Sequence, residues 1–115
     1  MLPSDVDGND LFNTVQASGL LQGIEISHDF SPPTSFCRER PGYLVWRWGD
    51  IGPGEKGALT ATYHDKDGTG VILTVVTGTG RKLREVELWR GDGVSIEVLP
   101  EANDLEKMVP GKVYK

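Results

Sequence analysis

Residues 58–99 decide the fold, and they read ALTATYHDKDGTGVILTVVTGTGRKLREVELWRGDGVSIEVL. Glycine-containing turn sequences at 67–68, 78–80 and 91–93 divide this stretch into runs rich in β-branched, aromatic and leucine residues. Such runs, spaced almost evenly and separated by turn residues, are typical of antiparallel strands joined by hairpins. The stretch therefore predicts a four-stranded C-terminal meander. Its strands are expected at 58–64, 71–77, 83–90 and 94–99, with the apolar run 71–77 inside the sheet and Val94, Ile96 and Val98 facing inward.

Two further strands are predicted before the meander. Residues 24–30 alternate apolar and polar side chains, which is the pattern of a strand with one buried face. Residues 43–48 place Leu44, Trp46 and Trp48 on one face of a second strand. The intervening residues 31–42 are expected to form a loop, because the proline pair at 32–33 has no N–H to donate to a ladder.

One helix is predicted near the N-terminus. Asn9 or Asp10 can cap it, its apolar face is Leu11, Phe12 and Val15, and Gly19 stands where a left-handed C-terminal cap is expected. A single helical turn is also expected over 102–109, before Pro110. The predicted fold class is α+β: a predominantly antiparallel sheet of about six strands with one N-terminal helix packed on it.

The length of 115 residues indicates one domain, 1–115, with flexible tails at 1–8 and 110–115. Cys37 is the only cysteine, so an intramolecular disulfide is excluded, and a lone thiol favours a reducing compartment. No run approaches the roughly 18 apolar residues of a membrane helix, and the first residues lack the pattern of a signal peptide. We therefore expect a cytoplasmic location.

The net charge is −5, and the first 37 residues hold five acids and no Lys or Arg. An acidic surface repels nucleic-acid phosphates and anionic lipids, so neither nucleic acid nor membrane is an expected partner. A basic protein is the partner that this charge favours.

No motif gives a strong indication of catalysis, metal or cofactor binding. Residues 65–68, DKDG, resemble the start of a calcium loop, but the twelfth position of that loop is Val76 and not Glu. The glycines at 78 and 80 lack the spacing of a phosphate-binding loop. A nucleophile and base drawn from Cys37, His28 and His64 stays open as the alternative of a small-ligand or enzymatic domain.

Residues 83–100, LREVELWRGDGVSIEVLP, resemble the terminal hairpin of small bacterial domains in the pattern Leu-x-Glu-Val-Glu, then Asp-Gly, Ile and Leu-Pro. Small acidic domains of this kind include immunity proteins encoded beside polymorphic toxins. The resemblance implies a non-enzymatic inhibitor that docks on a basic toxin domain. Because the acidic residues lie mainly in the first 37 residues and the C-terminal segment, we expect docking on the side of the helix and the first predicted strand. The expected contacts are Glu25, Asp29, Glu85, Glu87 and Trp89. A structural or oligomeric subunit that pairs through an edge strand is a further alternative.

Overall fold

A computed structural model describes residues 8–21, 24–29, 31–49 and 57–107, with the backbone alone for Arg38, Glu39 and Lys107. Within these ranges one helix precedes six strands: α1 (Gly8–Ala17), β1 (Ser35–Arg40), β2 (Tyr43–Arg47), β3 (Gly57–His64), β4 (Gly70–Thr77), β5 (Leu83–Trp89) and β6 (Glu106–Lys107). The strands form one sheet in the order β1-β2-β5-β4-β3-β6, and every neighbouring pair is antiparallel. The predicted α+β class, an antiparallel sheet with one helix, is confirmed.

The core lies on one face of the sheet, where apolar side chains occupy alternate positions of adjacent strands. Trp46 of β2 is opposite Val86 of β5, which is in turn opposite Val75 of β4. All three are buried, as the period-two pattern of a strand with one covered face requires. Burial of side chains of this size stabilises the fold by about 1.5–3 kcal/mol each.

Helix α1 covers this face with the three apolar residues that its sequence predicts, Leu11, Phe12 and Val15, all of which are buried. Gly19 has φ 83°, the left-handed conformation expected beyond the helix end. Asn9, one of the two expected caps, lies inside the first turn, and its side chain contacts Ser31 O and His28 Nε2.

Gly8 belongs to α1 and not to a flexible tail. It is buried, and a Cβ at this position would lie 2.8 Å from Cδ1 of Trp46. The helix can approach the sheet this closely because residue 8 has no side chain. The other residues of the predicted tails, 1–7 and 110–115, lie outside the described residues.

Strands β2, β3, β4 and β5 occupy the predicted positions, and the apolar run of β4 lies inside the sheet as expected. The fourth meander strand, predicted over 94–99, is wrong. β2 takes the position beside β5, and the backbone N–H groups of Glu97 and Val98 donate to the buried carboxylate of Asp65. Ile96 is buried as expected, whereas Val94 is 50% exposed. The meander therefore has three strands.

The strand predicted over 24–30 is also wrong for its described residues, 24–29. Within the described part of the chain they make one isolated parallel bridge, between Ser27 and Lys82, where they meet the turn before β5. Ile26 nevertheless packs on the core. The alternation of apolar and polar residues over 24–29 indicated which side chains are buried. It did not indicate whether the backbone pairs with another strand.

The predicted loop 31–42 contains β1. Ser35 pairs with Arg47 and Arg40 with Tyr43, so β1 and β2 form a hairpin closed by Pro41 and Gly42. The prolines at 32–33 precede β1 and do not interrupt it. At the C-terminus, the helical turn expected over 102–109 is limited to a 3₁₀ turn at Ala102–Asp104. Strand β6 follows it and pairs with β3, and residues 108–109 lie outside the described residues.

Candidate functional site

The sheet face opposite the core carries the outward side chains of β2, β5 and β4. Helix α1 and the apolar residues of 96–105 pack on the core face, which leaves the opposite face without a described covering layer. We call this surface the open face. Its exposed or half-buried residues are Tyr43, Arg47, Ile72, Thr74, Glu85, Glu87 and Trp89, whereas Val45 and Val76 are buried within it.

Trp89 is the most prominent apolar side chain of the open face. It stands opposite Tyr43 on β2 and Ile72 on β4, so three large side chains form one row across the sheet. The residue is 43% exposed, and its ring lies against Gly91, where a Cβ would be 3.1 Å from Cη2. A half-exposed Trp in such a row is the kind of residue that contributes most to protein interfaces.

Two cross-strand pairs lie beside this row. Arg47 Nε donates to Glu85 Oε1 at 2.8 Å, and Tyr43 Oη donates to Glu87 Oε2 at 3.1 Å. The hydrogen bond to Glu85 raises the pKa of Arg47, while burial and then Glu87 raise the pKa of Tyr43. Glu85 and Glu87 thus share the open face with Trp89, as the spacing predicts, but each has a partner on β2.

A network around Arg90 lies at the end of β5, where Arg90 follows Trp89 in the chain, and we call it the Arg90 clasp. The buried guanidinium donates to Asp65 Oδ2 at 2.6 Å, Asp67 Oδ2 at 2.6 Å and Asp92 Oδ1 at 2.9 Å. One positive charge therefore faces three carboxylates. The side chains of Asp67 and Asp92 stay 51% and 41% exposed, so this end of the sheet carries two accessible carboxylates.

The carboxylates of the Arg90 clasp are ionised. Hydrogen bonding by Arg90 lowers the pKa of Asp67 to about 2 and also lowers that of Asp92. Burial alone would raise the pKa of Asp65, but the hydrogen bonds from Lys66 N, Arg90 and two further amides outweigh it and lower the value. The Asp and Gly residues at 65–68 indicated only a turn. The sequence did not show that the carboxylates of this turn bind Arg90.

Glu25 and Asp29 do not join Glu85, Glu87 and Trp89. Glu25 borders a groove of about 730 Å³ between the end of α1, residues 24–27 and the turn at 80–81. Asp29 accepts a hydrogen bond from Ser31 N at 3.0 Å, which lowers its pKa. Both lie on the segment that packs on the core face, so the five predicted contacts divide into two groups on different sides of the sheet.

The alternative catalytic set is not brought together. Cys37 lies on β1, where it pairs with Val45, and His64 is the last residue of β3. Strands β2, β5 and β4 lie between β1 and β3. Four strand spacings amount to roughly 19 Å. His28 lies on the core-face side, with its ring centroid 5.0 Å from Phe12 and 5.5 Å from Trp48, and burial lowers its pKa.

Across the described ranges, no group of three or more His, Cys, Asp or Glu residues is placed to hold a metal ion. The same ranges contain no helix with the length and apolar character needed to cross a membrane. No protein-family model matches the chain, and no curated protein or solved structure shows significant similarity to it.

Proposed function

We propose that the chain is a non-enzymatic protein-binding module whose open face docks on a basic protein, most specifically as an immunity-type inhibitor of a toxin or effector domain. The exposure of Trp89 on the open face is the observation that supports this most directly. An apolar ring of this size in water is unfavourable, and its burial by a partner would contribute to binding. Within the cytoplasm, the same surface would be accessible to a toxin.

The dimensions of the surface favour a protein over a small molecule. The open face crosses β2, β5 and β4, which together span two strand spacings, and β2 spans five residues, so the face measures roughly 10 by 17 Å. Small ligands usually bind in concave cavities that enclose most of their surface. A standard protein interface covers about 800 Å² on each partner, so a partner docked on the open face would also contact residues around it.

The charge of the Arg90 clasp favours a basic partner. Asp67 and Asp92 are ionised and half-exposed at the end of β5, and the chain as a whole carries −5. Complementary charge accelerates association and makes it sensitive to salt, while a buried aromatic side chain determines how slowly the complex dissociates. The proposal therefore gives the carboxylates and Trp89 different roles.

Titration calorimetry against proteins encoded by adjacent genes tests the proposal. We expect a 1:1 complex, and Trp89→Ala should weaken it about 30-fold or more, which is the effect of losing about 2 kcal/mol at a hot spot. Ile24→Ala is the matched control, because Ile24 is an exposed apolar residue (37%) on the opposite side of the sheet. Its complex should keep the affinity of the unmodified chain.

Equal weakening by both variants would contradict the assignment of the open face, as would undiminished binding by Trp89→Ala. Light scattering on the chain alone measures its oligomeric state, and so distinguishes the alternative of an oligomeric subunit from the proposed protein-binding module. A dimer that Trp89→Ala converts to a monomer would assign the open face to self-association instead.

A further inference from the structure

A small pocket lies at the start of β5, on the core-face side of the sheet and away from Trp89. Its volume is about 130 Å³. Its lining includes His28, Asp29, Ser31, Trp48, Lys82 and Arg84. The pocket thus brings two cationic side chains of β5 and its preceding turn next to the segment 28–31.

A β-bulge directs Arg84 into this pocket. Val76 pairs with Glu85, but the next residue of β4, Thr77, pairs with Leu83, so Arg84 is the extra residue of β5. Leu83 consequently enters the core with 1% exposure, and Arg84 is turned away from the open face that Glu85 occupies. Bulges re-aim side chains in this way, and they are over-represented beside functional sites.

The guanidinium of Arg84 has an unsatisfied donor. Its Nε is buried, and no hydrogen-bond acceptor of the described residues reaches it. Arg47 and Arg90 differ, since each donates to at least one carboxylate. Gly49 makes room for the group, because a Cβ at that position would lie 2.7 Å from Arg84 Nη1. A buried donor without a partner is destabilising and rare in native proteins, so it calls for an acceptor.

We propose that this pocket binds a phosphate group, either free or as a phosphomonoester. The planar fork of Arg84 suits two phosphate oxygens, and Lys82 supplies a second positive charge against the single carboxylate of Asp29. The volume suits one phosphate group, because sites for larger ligands measure about 300–1,000 Å³. This inference does not depend on the proposed protein-binding function, because the pocket lies on the other side of the sheet.

NMR titration of the ¹⁵N-labelled chain tests the proposal through the Nε–H signal of Arg84. Inorganic phosphate should shift this signal saturably. Methyl phosphate should do the same if the pocket admits an ester, and should have no effect if the pocket admits only the free ion. Chloride at matched ionic strength should not. Arg84→Gln lacks this signal, so its binding is followed through the backbone amide of Lys82, and it should be about tenfold or more weaker, since charge-assisted hydrogen bonds are lost. Arg47→Gln, which removes an arginine of the open face, is the control and should leave binding unchanged.

Three results would overturn the proposal: no saturable shift of the Arg84 signal, an equal shift with chloride, or undiminished phosphate binding in Arg84→Gln. If Arg84→Gln fails to fold, Lys82→Gln replaces it, because Lys82 is exposed. Phosphate binding that Lys82→Gln leaves at full strength would also count against the pocket.

Discussion

At the scale of single residues, Asp65 does more to connect the chain than its place in a polar turn suggests. Its side chain is fully buried and accepts hydrogen bonds from Arg90 Nη1 and from the backbone N–H groups of Lys66, Glu97 and Val98. The carboxylate thereby replaces the strand partner that residues 94–99 lack. It joins the β3–β4 turn to the segment that follows β5.

Asp65→Asn should destabilise the fold by about 1–3 kcal/mol, because the buried carboxylate that accepts from Arg90 and three backbone N–H groups is lost. Asp67 and Asp92 still compensate the charge of Arg90. The substitution keeps the shape of the side chain, so the lost stability comes from the change in charge and hydrogen bonding. Urea unfolding measures it. Asp67→Asn is the control: its side chain is half-exposed and water can replace it, so its effect should be much smaller. Equal losses from the two variants would contradict the central place of Asp65.

At the scale of elements, the β1–β2 hairpin shows what sequence patterns can miss. Residues 35–40, SFCRER, have three charged side chains and no clear alternation, so they did not suggest a strand. The available signal was Pro41-Gly42, a turn dipeptide directly before a clear strand. Gly42 has φ 83°, and a Cβ there would lie 2.6 Å from Arg90 O, so the hairpin turn packs against the end of β5.

Gly42→Ala and Gly68→Ala should differ in stability although both glycines have a left-handed backbone. Gly68 has φ 87°, and no described atom lies within 4 Å of the point that a Cβ would occupy, so alanine there costs only the left-handed strain of about 1–2 kcal/mol. Gly42→Ala adds the collision with the Arg90 carbonyl, which should cost about 1–3 kcal/mol more. Chemical denaturation of both variants measures the difference. Equal losses would show that the turn does not pack closely against β5.

Strand β4 and helix α1 could be predicted because the local pattern of apolar residues determines them. The apolar run of β4 predicted an interior strand, and Leu11, Phe12 and Val15 predicted the buried face of α1. Residues 24–29 and 94–99 were assigned wrongly, because apolar side chains in extended segments alternate in burial whether or not a partner strand is present. Whether a segment pairs as a strand depends on residues far away in the sequence. The alternation within the segment itself therefore does not predict pairing.

The same limit applies to the candidate site at the scale of the whole molecule. Alternation placed Glu85, Glu87 and Trp89 on one face, and the structure agrees. The partners of the two glutamates depend on the position of β2 beside β5, which no local pattern of residues 83–90 reveals. Charge counted along the chain likewise grouped Glu25 and Asp29 with these residues, whereas the fold places them on the other side of the sheet.

The molecule therefore has two unlike sides. One is the open face, with Trp89, the ion pair of Arg47 with Glu85 and the hydrogen bond from Tyr43 to Glu87. The other carries α1, the groove beside Glu25 and the pocket of Arg84. A protein partner and a phosphate group can occupy these sides independently.

An NMR footprint of the ¹⁵N-labelled chain with its protein partner tests the central claim most directly. We predict that binding shifts the Trp89 indole signal and the amides of β2, β4 and β5, and that it leaves Ile24, Glu25 and Arg81 at the groove unchanged. A footprint centred on the groove, with the Trp89 signal unmoved, would contradict the assignment of the open face as the binding surface.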